Sequence, residues 1–546
     1  MATTSLEQNL RLFPILTPEQ LTRAARHGKP RTCGAGEVLR EAGVQVDSIF
    51  VVVKGHVELV RPEVTVASLG AGQFTGEVGT LSGQPAVVTL RAAEASEVVE
   101  IGRDQLLEIV QADSDLSDVF MRAFLLRRLE LIARNLGDAV LVGSNHNPDM
   151  LRIRDFLSRN DYPYTTLDLD TDRDAQSMLD RFGLQIDETP VLICRDRQLL
   201  RNPPNKEIAD CLGFNIAVEE TELRDLVIVG AGPAGLAAGV YGASEGLNVL
   251  LIEANAPGGQ AGASSKIENY LGFPTGISGH DLTTAAHVQV QKFGAQVMVA
   301  QPARKLKCGN KPFRVEIDEK TTVAGRAVIL ATGAEYRKLS VENPGRFDGA
   351  GVYYSATPME AALCVDQEIL VVGGGNSAGQ AAVFLAESAK KVHMCVRAGS
   401  LGDTMSRYLV RRIEEHAKIE LCLDTEVTAL EGEHCLERVT TRNGRTGETH
   451  TLEVRQLFVM AGAIPNTGWL DGCVALDGNG FVKTGPELSK EDLKGWPLPR
   501  PPYLLETSRP GVFAIGDVRC SNLKRVAAAV GEGAMAIAFV HRTLHE

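Results

Sequence analysis

Two glycine turns, Gly230–Gly235 and Gly373–Ala378, constrain this chain more than any other feature, because each stands between an apolar strand and a helix. The first lies in DLVIVGAGPAGLAAGVYGASEGLNVLLIEAN. Gly230 permits the tight turn, Gly232 lets the backbone approach a pyrophosphate, and Gly235 lets the helix pack on the strand, with Pro233 and Ala234 between them. Glu253 falls 23 residues after Gly230, at the end of the next strand, the spacing that reaches a ribose hydroxyl. The second turn lies in EILVVGGGNSAGQAAVFLAESAKKVHMCVRAG and supplies Gly373, Gly375, Asn376, Ser377 and Ala378. Arg397 comes 24 residues after Gly373, where an NADH enzyme would place an acid, and an Arg there suits a 2′-phosphate. Two parallel α/β units, each shaped for a dinucleotide, are expected.

Those units fill only part of the chain. With 546 residues, three or four domains are expected. The longest apolar runs, such as Leu226–Val229 and Ile369–Val372, are strand-length and too short to span a membrane. A net charge of −13 argues against nucleic acid. MATTSLEQNLRLF has neither a basic start nor an extended apolar core, so no signal peptide is expected. The 10 cysteines are spread singly with no C-x-x-C. That pattern reads as reduced thiols in a cytoplasmic protein, without disulfides, zinc or another metal.

Residues 1–137 open with a helix near Thr17–Arg26, continue through short strands such as Ser48–Val53 and Val57–Val60, and end in a helix, Leu116–Arg134. Short strands punctuated by glycines suggest a β-roll. Residues 138–215 alternate strand (Ala139–Val142), helix (Met150–Arg159), strand (Tyr164–Leu169), helix (Ala175–Phe182), strand (Val191–Cys194) and a helix near Lys206–Leu212. This predicts a small α/β domain. A short acidic linker, AVEETELRD, leads into the dinucleotide units.

Three resemblances follow from these stretches. CGAGEVLREAGVQVDSIFVVVKGHVELV followed by LGAGQFTGEVGTLSGQPAVVTLRA resembles a cyclic-nucleotide-binding domain. The resemblance implies that Gly76 and Glu77 would cradle the cyclic phosphate and reach the ribose. The family's phosphate-binding Arg after a Pro is missing, because Ala86 follows Pro85. An anion there loses a charge-assisted contact, so a roll used for packing or protein contact is the favoured reading, with cyclic nucleotide as the alternative. DETPVLICRDRQLL resembles the thioredoxin/glutaredoxin fold, which implies a cis Pro190. Where a glutaredoxin carries C-P-Y-C, this chain has Asn147-Pro148-Asp149-Met150. Without a thiolate there is no disulfide exchange, so a docking or scaffold element is expected.

The remainder, Asp225–His545, resembles the low-molecular-weight thioredoxin reductases, part of the pyridine nucleotide-disulfide oxidoreductases. PGGQAGASSKIENYLGFPTGISGHDL, VILATGA and Gly511–Ala536 carry the likeness. It implies FAD at the first turn, with Gly258, Gly259, Gln260, Asn269, Thr332, Gly333, Gly516, Asp517, Val526 and Ala527 around it. It implies NADPH at the second turn, with Arg397 and Arg407 marking the phosphate and NADH as the alternative. It also implies a homodimer, with the nicotinamide unit (339–465) inserted between two parts of the flavin domain (222–338 and 466–546).

The family's redox dithiol precedes the nicotinamide unit as C-A-T-C-D. The matching stretch is VYYSATPMEAA, where Ser355 and Pro358 replace the cysteines and Met359 the acid. Cys364 is the nearest thiol. The expected function is hydride transfer from NADPH to FAD, then onward to a small-molecule or redox-protein acceptor without a C-x-x-C dithiol. A thioredoxin-disulfide reductase using other cysteines, and a redox or cyclic-nucleotide-regulated sensor, are the alternatives. Cysteine-free ferredoxin:NADP reductases offer an incomplete parallel, since HRTLHE lacks their flavin-covering aromatic.

Overall fold

The structure, a computed structural model, describes all residues except 1–10, 62–63, 134–138, 146, 173–187, 195–197, 216–221, 265, 310, 343–345, 355, 357, 403, 434 and 471. Helices are numbered along the described chain. In the first segment these are α1 (Pro18–Ala25), α2 (Val78–Ser82), α3 (Arg103–Ala112) and α4 (Ser114–Ala133). They pack on two antiparallel sheets, one of strands 29–33, 96–102 and 48–54, the other of 38–40, 89–92, 57–61 and 64–69. Phe74, Phe120 and Phe124 meet edge-on and stacked where the roll joins α4. Both faces of strand 96–102 are covered, Val99 and Ile101 packing with Phe74 and Phe120 and the intervening Val98 with Phe50 and Val52 on the other side.

The second segment has a four-stranded sheet in the order 198–201, 191–194, 139–143, 164–168. Strands 139–143 and 164–168, the first two in sequence, are parallel, and the other pairings are antiparallel. Helices α5 (Pro148–Arg159) and α6 (Asn205–Leu212) cover it. Asn147 caps α5, its Oδ1 accepting from the Asp149 and Met150 amides. The Thr189–Pro190 peptide is cis. The expected helix Ala175–Phe182 lies outside the described residues.

The remaining chain forms two modules. Strands 296–298, 249–252, 223–229 and 322–330 lie parallel, and 512–514 joins beside 322–330 near the end of the chain. A second parallel sheet takes strands 352–353, 457–459, 368–372, 391–395 and 419–422. Between them run two short antiparallel strands, 334–336 and 463–465. The helices here are α7 (Pro233–Ser244), α8 (Gly259–Gly262), α9 (Gly279–Lys292), α10 (Pro358–Leu363), α11 (Asn376–Leu385), α12 (Arg407–Glu414) and α13 (Val526–Leu544). Helix α13 lies so close on α7 that a Cβ at Gly533 would meet the Ala234 carbonyl at 2.5 Å.

The cysteines require a correction. Spacing suggested single reduced thiols, yet the fold joins Cys194 to Cys211 and Cys308 to Cys473 as disulfides, with Cα separations of 6.5 and 6.0 Å. Pairs 17 and 165 residues apart are created by tertiary packing and leave no local motif. Among the described residues, no helix is long and apolar enough to cross a membrane.

Candidate functional site

Both glycine turns open into one cleft of about 1670 Å³. At the first turn Gly230 has φ +107°, and a Cβ there would strike the Ala331 carbonyl at 2.2 Å. A Cβ on Gly235 would meet the Gly230 carbonyl at 1.9 Å, so this glycine serves helix packing and does not line the cleft. Gly232 differs, since its Cβ would meet nothing nearer than Gly259 Cα at 3.8 Å. Its missing side chain leaves space at the start of α7, where amides and helix dipole favour an anion. Glu253 is buried. Its Oε2 accepts from the Ala231 amide at 2.7 Å and its Oε1 from the Asn255 amide at 2.9 Å. Burial raises its carboxyl pKa, partly opposed by those amides.

Pro233, Ala234, Gly259, Gln260, Thr332, Gly333, Gly516, Asp517 and Val526 all line the cleft. Thr332 Oγ1 donates to the Asn466 carbonyl at 2.8 Å, tying the outgoing strand to the returning one. Asp517 sits in a 3₁₀ turn, where burial raises its pKa, and it does not cap α13, whose cap position is Arg525. The N-terminal end of α13 faces the cleft through Arg525 and Val526. Asn269 and Ala527 are exposed and do not line it. The motif in which each stands carries the signal, while the individual side chain points elsewhere.

At the second turn Gly373, Gly375, Asn376, Ser377 and Ala378 line the same cleft. Gly375 has open space at its Cβ position. Asn376 Oδ1 accepts from the Ser406 amide and hydroxyl at 2.8 and 2.9 Å, and Thr404 Oγ1 donates to the Gly374 carbonyl at 2.7 Å. Arg397 is exposed and lines the cleft, whereas Arg407, at the start of α12, is exposed and does not.

Ser355 lies outside the described residues. Pro358 is exposed at the start of α10, and Glu360 and Tyr354 line the cleft near it. Cys364 is fully buried and donates to the Glu360 carbonyl at 3.2 Å. Burial pushes this thiol up to about 12, which removes the thiolate needed for disulfide exchange. A second thiol pair was not anticipated. Cys395 and Cys422 stand in register on adjacent strands, and Cys395 lines the cleft. The Cys395 thiol, then His393, hold Cys422 down to about 5. His393 itself lies between Glu368 at 3.3 Å and Glu420 at 2.8 Å, a charge network.

In the roll, Glu77 is engaged by Arg128 at 3.2 Å. Arg127 is buried between Phe13 and Phe74, donating to the Gly76 carbonyl at 2.7 Å. The Ala86 amide donates to the Val44 carbonyl at 2.8 Å, so this position serves the roll's backbone pairing.

Sequence reasoning missed one wall of the cleft altogether. Pro148, Asp149, Leu151, Arg152, Asp155 and Arg159, all on α5, line it. The second segment had no motif to announce this.

Two nucleotide turns in one cleft define a pyridine-nucleotide flavoenzyme. The chain belongs to the pyridine nucleotide-disulphide oxidoreductase family, whose model matches residues 224–533. It is a thioredoxin-reductase-like oxidoreductase, and the thioredoxin reductases use FAD and NADPH. Residues 30–113 match the cyclic nucleotide-binding domain. The chain is 32% identical over 325 residues to the thioredoxin reductase of Chlamydia trachomatis, covering 58% of this chain and 98% of that one. It is 33% identical over 342 residues to mitochondrial thioredoxin reductase 1 of Arabidopsis thaliana, covering 60% and 85%. Among solved structures, thioredoxin reductase of Lactococcus lactis superposes with a TM-score of 0.53 at 27% identity, covering 59% of this chain and 99% of that one. That of T. acidophilum gives 0.53 at 28% identity, with the same coverage.

Proposed function

We propose that the enzyme oxidises NADPH through FAD and passes the electrons to an acceptor other than a neighbouring dithiol. The carrying observation is that one cleft joins both turns while the stretch leading into α10 has no cysteine and Cys364 is buried and protonated. Gly230, Gly232, Glu253 and Gly259 would hold FAD, with Thr332, Gly333, Gly516 and Asp517 along the same wall. Gly373, Gly375, Ser377 and Arg397 would hold NADPH. Bound flavin supplies two-electron acceptance of hydride from the nicotinamide. The chain's groups bind and orient: Gly232 leaves room for phosphate, Glu253 fixes the turn, and Arg397 offers its guanidinium to a 2′-phosphate. On this reading residues 339–465 are the inserted nicotinamide domain, 138–215 a thioredoxin-like domain without its cysteines, and the enzyme a homodimer. The strand order of the second segment and the short paired strands 334–336 and 463–465 support the division.

The test is steady-state NADPH oxidation with a panel of ferredoxin, quinone, oxygen, small disulfides and thioredoxin. Turnover with one of the first four and none with thioredoxin is expected. Fast thioredoxin reduction would contradict the reading.

A second reading, a flavoprotein regulated through the roll, is favoured by one run of contacts. Arg128 holds Glu77 and lies over the Tyr162 ring at 5.8 Å, and the adjacent Asp161 accepts from Thr284 at 2.8 Å and pairs with His280 at 3.1 Å, both on α9. A cyclic nucleotide competing for Glu77 would release Arg128. Cyclic AMP and cyclic GMP should then alter NADPH turnover, and no effect at saturating nucleotide would remove this reading.

A further inference from the structure

The flavin turn has no cation in the stretch of chain that forms it, and Lys524 and Arg525 line the cleft from the start of α13. Between Arg224 and Lys266 there is no Lys or Arg, although Glu245 and Glu253 lie in that stretch. Amides and the α7 dipole favour a diphosphate there but carry no full positive charge. The second segment brings a cation, Arg159, which shares its charge with Asp155 at 3.8 Å one turn earlier on the same helix. Arg159, at the end of α5, donates from Nη2 to the carbonyls of Gly259 at 2.9 Å and Ala256 at 3.2 Å. Its side chain lines the cleft, and its Nε is buried without a hydrogen-bond partner. Gly259 in turn lies against Gly232, its Cβ position 3.0 Å from Gly232 Cα.

The segment grips this loop at more than one point. Asn205 donates to Asn255 at 2.6 Å. Asn215 Nδ2 donates to the Val299 carbonyl at 3.0 Å, and the Val299 amide returns a bond to Asn215 Oδ1 at 2.8 Å. Ala256, Val299 and Ala300 of the flavin module share one apolar core with Met150, Phe156 and Leu157 of α5. At the other end of α5, Pro148 abuts Gly349, whose Cβ would lie 3.1 Å from the Pro148 ring. An apolar core continuous across the junction fixes the helix in place. The second segment is therefore a wall of the cleft, fastened along the loop from Glu253 to Gly259.

We propose that the second segment is an integral part of the FAD site, with Arg159 supplying the positive charge that receives the dinucleotide's diphosphate. This rests on the assignment of FAD to the first turn. It gives a thioredoxin-like domain without the C-P-Y-C motif a role that needs no thiolate: it holds the cofactor loop and completes its electrostatics.

The test uses the full chain stripped of flavin, with binding of FAD, ADP and adenosine measured by fluorescence and calorimetry. Arg159→Ala should weaken FAD and ADP by roughly 10–100-fold, the range of a charge-assisted contact, and change adenosine less than about twofold. Arg159→Lys should recover part of the loss, and it remains informative if the Ala variant fails to fold. Exposed Asp210→Ala should leave all three constants unchanged. Equal losses for ADP and adenosine would overturn the phosphate contact, and so would an Arg159→Ala protein that binds ADP like the wild type. Gly232→Trp separates the two levels. If it still binds FAD tightly, the assignment of the first turn fails. If it loses FAD while Arg159→Ala does not, only the present inference fails.

Discussion

The two glycine turns share a backbone shape and differ in everything around it. At the first, Glu253 is buried with both oxygens held by amides, and α5 from another segment closes the side. At the second, Arg397 is exposed at its strand end, and the side chains of Thr404 and Asn376 tie the surrounding loop. A closed site suits a cofactor that stays, and an open one suits a nucleotide that arrives and leaves every cycle. The turn motif sets which class of ligand binds. The walls set how long it remains.

The largest expected effect breaks the closed side. Gly232→Trp projects a ring into the space beside Gly259 and should cut FAD affinity by roughly 100-fold or more, about 3 kcal/mol, giving colourless protein. Stoichiometric flavin in the purified variant would contradict the assignment. On the open side, NADPH should reduce the flavin faster than NADH, and Arg397→Ala should remove most of that preference, about 1–3 kcal/mol, without loss of FAD. Equal wild-type rates in stopped flow would argue against a 2′-phosphate role for Arg397.

A smaller effect concerns the helix behind the closed site. His287 on α9 is pushed down to about 4, first by burial and then by Arg128, with Asp161 opposing. Above the ordinary imidazole value of about 6.5 both folded and unfolded states are neutral there, and no contribution arises. As pH falls from about 6.5 to 4, the unfolded chain takes a proton that the folded chain resists, so stability falls with pH by roughly 1–3 kcal/mol. His287→Gln should flatten the melting temperature across that window. An unchanged slope would place the acid sensitivity elsewhere.

How much of this was legible depended on whether the chemistry is local. The turns were, because Gly230, Gly235 and Gly373 sit where any Cβ would strike backbone, so the residue type records the geometry. Element limits such as the strand Val191–Cys194 followed from local pattern as well. Asn269, Arg407 and Ala527 were carried by the motifs around them, and sequence spacing says nothing about which way a side chain points. The Cys194–Cys211 and Cys308–Cys473 pairs, the Cys395–Cys422 register and the Arg159 contacts all join distant segments, so no window of sequence holds both partners. Arg159 had a faint sequence counterpart in the absence of any cation from Asp225 to Ser265, which becomes meaningful only once the cleft is seen.

The central claim is that electrons leave the flavin without passing through a dithiol. An anaerobic NADPH titration of the purified, FAD-saturated enzyme, followed by absorbance, tests it most directly. The account predicts two electrons taken up per FAD, with the same endpoint after thiol alkylation. Four electrons per FAD, reduced to two by alkylation under reducing conditions or by Cys422→Ser, would contradict it. That result would assign the second electron pair to Cys395 and Cys422 and make disulfide reduction the leading function.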